Sequence, residues 1–94
     1  MEELLGVFMR TREVLARPES DFAWSGWENA DEALHEIDKV LAKLRIGKMP
    51  NRDHMTLLFL PTGPIQEVSL SSGWGHEFLK LASDFDAALQ RAGG

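Results

Sequence analysis

Ninety-four residues with 44% hydrophobic and 27% charged side chains fit one folded unit, 1–94, whose stability is on the order of 5 to 10 kcal/mol. The absence of cysteine excludes disulfides, thiolate metal sites and cysteine nucleophiles, and a net charge of −5 opposes binding to phosphate backbones, so no nucleic-acid partner is expected. The longest apolar run, Leu57 to Leu60, falls far short of the ~20 residues that span a bilayer, and no basic start with an apolar run follows Met1, so a cytoplasmic protein with no membrane partner is expected.

In chain order, Glu2 to Arg17 places Leu4, Phe8, Thr11 and Leu15 at helical spacing, with Leu5 and Val14 beside them and acids at the N-terminal end. Gly6 weakens this helix by about 1 kcal/mol relative to alanine, and Pro18 ends it. Pro18 to Trp24 is a connection in which Phe22 and Trp24 are expected to fold back onto the helices.

Ser25 to Gly47 carries the most regular pattern. Trp27, Ala30, Leu34, Ile37, Leu41 and Leu44 recur at steps of three and four, and Ala33 and Val40 widen the stripe. Ser25 with Glu28 reads as a capping box, Gly47 as a left-handed stop, and Pro50 forbids continuation. The rest of the chain is expected to be organised around this helix. Its charges are segregated: Glu19, Asp21, Glu28, Asp31, Glu32, Glu36 and Asp38 precede Lys39, Lys43, Arg45, Lys48 and Arg52, which suits the helix dipole.

Asp53 to Leu60 and Ile65 to Ser71 read either as two short helices, with Thr62 or Gly63 as N-cap and Pro64 at the first helical position, or as a β-hairpin about Pro61 to Pro64. Leu and Met outweigh β-branched residues there, which favours helices. After the turn Ser71 to Gly75, the residues Phe78, Ala82, Phe85, Leu89 and Ala92 form a second seam. The expected class is mainly α, a small bundle of three main helices over about 2–16, 26–46 and 75–91 with a short helical or hairpin segment at 53–71; the alternative is α+β with one hairpin.

Chemistry has little to stand on. Asp31, His35 and Asp38 fall on one outward helix face but lack a closing ligand, so a solvated acidic face is expected, with no metal and no cofactor. His76 has Lys80, not histidine, four residues on, and reads as a helix-start residue. There is no nucleophile elbow, phosphate-binding loop or dinucleotide fingerprint, and Ser71, Ser72, His54 and His76 are no more than any chain of this size offers a triad, so no catalytic residue is assigned. The final Gly93-Gly94 resembles the end of ubiquitin-like and sulfur-carrier proteins, but those families are strand-rich and this chain reads as helical.

Binding is the expectation that remains. Pro61 to Gly75 is fifteen residues with one charge, Glu67, in a chain otherwise rich in charge, and such a stretch is either buried or covered by a partner. The candidate partner-binding residues are Trp74, Pro61, Pro64, Glu67 and His76, with Trp74 as an interface anchor or, alternatively, a core plug. The expected function is a protein-interaction module without catalysis, its partner another protein or a second copy of itself. A small-ligand or metal-binding module and an uncharacterised hydrolase are the rivals.

Overall fold

The computed structural model describes residues 2–23, 25–61 and 63–93. It contains helices α1 (Glu2–Leu15), α2 (Ala30–Arg45), α3 (Arg52–Leu58), α4 (Pro64–Ser72) and α5 (Gly75–Gly93), and no strand among the described residues. The hairpin alternative is therefore not formed: 53–71 is the pair of short helices. Trp24, Thr62 and Gly94, on which parts of the sequence reading fall, lie outside the described residues.

The centre of the fold is α1 rather than the long helix α2. It packs between α2 and α5. Its buried side chains, Leu4, Val7, Phe8, Thr11, Val14 and Leu15, make a stripe wide enough to meet a helix on each side. Thr11 can be fully buried because its hydroxyl donates to the Val7 carbonyl at 2.8 Å, leaving no orphan donor. Phe8 stands edge-on to Phe59 (centroids 5.5 Å apart) and to Phe85 (6.1 Å), and Phe59 stacks on Phe85 at 4.5 Å. This trio ties α1, the end of α3 and α5 into one continuous apolar cluster.

The seam of α2 is buried as its spacing predicts, with Ala33, Ile37, Val40, Leu41 and Leu44 inside and Ala30 and Leu34 partly covered. Its start differs. Gly26 has φ 88°, outside the helical region, so the helix cannot begin at Ser25. Asn29 is the N-cap, its side chain accepting the Glu32 N–H at 2.9 Å, while a Glu32 oxygen lies 3.4 Å from the Glu28 N–H. The Ser25 hydroxyl instead donates to the Phe22 carbonyl (2.9 Å) and accepts from the Trp27 N–H (3.1 Å), holding a turn. That turn folds Trp27 inward against Phe22, and its indole N–H reaches Glu36 at 2.5 Å. At the other end Gly47 (φ 76°) closes α2 as expected, the Lys48 N–H returning to the Lys43 carbonyl at 2.9 Å.

In α5 the buried face is Phe78, Leu81, Phe85 and Ala88, with Ala82, Leu89 and Ala92 only partly covered. The face has turned from the predicted seam because α5 meets α1 on one side and α4 on the other. Three ion pairs fix the antiparallel register of α1 and α5: Glu3 with Arg91, Arg10 with Asp84 (3.0 Å), and Arg17, just past α1, with Glu77 (2.9 Å). Each step advances seven residues on one helix and retreats seven on the other, so all three lie along one line. Arg12 joins α1 to α2 through Asp38 at 2.6 Å.

The hydrogen bond from Arg12 holds the Asp38 carboxyl below its ordinary range, and that from Arg17 does the same for Glu77. A depressed carboxyl stabilises the fold above the unfolded-state value and loses that contribution as pH falls through the folded one. These side chains are about half exposed, so solvent screens each pair and it acts mainly on register.

Gly6 sits in the middle of α1 with nothing within 4 Å of where a Cβ would stand. Gly6→Ala is expected to stabilise the protein by about 0.5 to 1 kcal/mol, read as a higher urea midpoint at unchanged slope.

Candidate interaction surface

The segment poor in charge becomes α4 and the turn into α5, and its geometry follows from two glycines. Gly63 is the buried N-cap of α4, where an added Cβ would come within 2.6 Å of the Leu57 carbonyl oxygen, so only glycine lets α4 start this close to the end of α3. Gly73 takes φ 84° and turns the chain out of α4, after which the Trp74 N–H donates back to the Ser69 carbonyl at 2.9 Å. The Trp74 carbonyl accepts the Phe78 N–H at 3.1 Å, so the same residue closes one helix and opens the next. At Gly75 a Cβ would make only an ordinary contact, 3.7 Å from Leu70 Cδ2.

This turn drives the Trp74 ring into the core, where the residue is 3% exposed and its indole N–H is buried without a hydrogen-bond partner among the described residues. In this structure Trp74 fills the corner of the hairpin, as the core-plug alternative has it, and does not present its ring outward. The other sequence candidates disperse. Pro61 is exposed, Pro64 opens α4 and lines a cleft shared with Glu36, His54 and Leu57, and Glu67 is half-buried in the first turn of α4. Only His76, in the first turn of α5, lies on the outer groove between α4 and α5.

That groove, about 380 Å³, is lined by Gln66, Ser69, Gly73, Gly75, His76 and Phe78, with Leu70 and Leu79 among them. None of these carries a formal charge, and Leu70 and Leu79 are each 63% exposed. The neighbouring groove between α1 and α5 contains Arg10, Glu13, Arg17, Glu77 and Lys80 by contrast. The sequence reading missed Leu70 and Leu79. The available signal was that Leu79 falls off the Phe78–Ala82–Phe85 seam and Leu70 off the Ile65–Val68–Ser69 face.

The residues weighed for other chemistry are occupied or apart. Asp38 is held by Arg12, so it does not stand free with Asp31 and His35. His54 Nε2 lies 3.1 Å from a Glu36 oxygen, and the Ser72 hydroxyl accepts the Asp21 N–H at 2.7 Å. A larger cleft, about 620 Å³, lies elsewhere, between α2 and the start of α3, and its lining carries both signs of charge. No helix among the described residues is long and apolar enough to cross a membrane. The chain matches no family model, no curated protein and no solved structure.

Trp74→Ala is expected to lower stability by about 3 to 5 kcal/mol in urea titration, through the cavity it leaves.

Proposed function

We propose that the protein is a protein-interaction module that works without catalysis, receiving apolar side chains of another protein in the α4–α5 groove between Leu70 and Leu79. The observation that carries this reading is the pair of leucines left 63% exposed beside a groove with no charged lining. Interface cores are depleted in charge, and contiguous exposed apolar surface is uncommon where nothing covers it.

The chemistry of the partner follows from the groove. A charge brought there would lose its water with nothing to pair with, so the contacting segment is apolar and uncharged, as on the apolar stripe of an amphipathic helix. His76 and Gln66 supply the polar contacts at the edge, and the buried Trp74 holds the hairpin in shape from beneath. The role the sequence assigns to Trp74 as anchor passes to Leu70 and Leu79.

The test uses the whole chain as bait in native cytosol beside the double variant Leu70→Gln, Leu79→Gln. Both side chains are exposed and glutamine is a good helix former, so the melting temperature should stay close to that of the parent. A partner held by the parent and released by the variant is the expected result, since a central anchor contributes at least about 2 kcal/mol, or roughly thirtyfold in affinity. Equal capture by both baits, or none by either, contradicts it.

A further inference from the structure

The outer face of α2 shows a second pattern, separate from the α4–α5 groove. Glu32, Glu36, Lys39 and Lys43 line the same side of the cleft between α2 and α3. Their spacings are four, three and four, and they lie within a narrow arc of the helix. Read backwards, the row keeps its spacing and inverts its charges. A second α2 laid antiparallel therefore meets it with Glu32 opposite Lys43 and Glu36 opposite Lys39, and by symmetry the reverse, four opposed pairs about one two-fold axis.

We propose that this face of α2 pairs with the same face of a second copy of the chain to form an isologous dimer. Three features of the single chain favour that use. Among the described residues neither Lys39 nor Lys43 has an ion-pair partner, and Glu32 receives only the 3.4 Å bond from the Glu28 N–H. Glu32 and Glu36, and Lys39 and Lys43, are like charges four apart, an arrangement that works against an isolated helix and is relieved by opposite charges from outside. The helix dipole accounts for Glu32 in the first turn and Lys43 in the last, and leaves Glu36 and Lys39 in the middle of α2 to another cause.

Glu36 also accepts from Trp27 and faces His54, which fixes its carboxylate in place at the centre of the row. In the same cleft Ala42 is exposed, whereas Val40 and Pro50 are buried and add little apolar contact. The opposed charges set register and choice of partner, and the association they direct is modest in strength.

Sedimentation equilibrium of the full chain at physiological ionic strength tests the proposal with Glu32→Lys and Lys43→Glu, both at exposed positions outside the core and outside the α4–α5 groove. The parent is expected to rise with concentration from 10.6 kDa toward twice that mass. Each variant alone opposes like charges across the axis and should associate about tenfold more weakly or worse. An equimolar mixture of the two restores both outer pairs and should recover the dimer. A parent that stays at 10.6 kDa to millimolar concentration, variants that associate as the parent does, or a mixture no better than its components would each overturn the proposal.

Discussion

The fold depends on the burial of α1 from two sides. A helix packed on one neighbour needs a stripe about 100° wide, whereas one held between two must bury residues such as Val7 and Val14 as well as Leu4, Phe8 and Leu15. α2 and α5 each rest on α1, Phe8 carries the contact onward to Phe59 at the end of α3 and to Phe85, and α4 in turn rests on α5. The polar side of α1 does a different job. Glu3, Arg10 and Arg17 meet Arg91, Asp84 and Glu77 at heptad intervals, and half-exposed pairs of this kind align helices more than they stabilise them.

Away from the paired charges of α1, the two proposed contact faces differ in kind. The α4–α5 hairpin offers two exposed leucines over an uncharged groove, and its rigidity comes from below, where Trp74 fills the corner that Gly73 turns. The outer face of α2 offers an ordered row of charge with little apolar surface. On the proposed readings the first receives an apolar segment and the second its own inverse, and the two surfaces would not compete.

Much of the architecture was legible in the residues. The spacing of Ile37, Leu41 and Leu44, the stop at Gly47, and Pro64 at the head of a short helix all act within one turn or two, where local sequence and local structure are the same thing. The cap moved from Ser25 to Asn29 because Gly26 is left-handed, and Asn29 with Glu32 repeats the pattern of Ser25 with Glu28 four residues on. The centrality of α1 was not legible, since a broad buried stripe is less periodic than a narrow one and its partners lie far along the chain. The ladder from Glu3 to Arg17 acquires meaning only once α5 is laid beside it. Poverty in charge marked Pro61 to Gly75 and pointed to Trp74, but only the turn at Gly73 decides that Trp74 goes in while Leu70 stays out, and Leu79 lies beyond that stretch.

Native-state amide hydrogen exchange tests the central position of α1 most directly. Amides from Val7 to Thr11 should exchange only through global unfolding, with protection equal to the stability measured by denaturant, while α3 and α4 open locally and exchange sooner. Protection that is highest in α2 and lost early in α1 would contradict this and return the long helix to the centre of the fold.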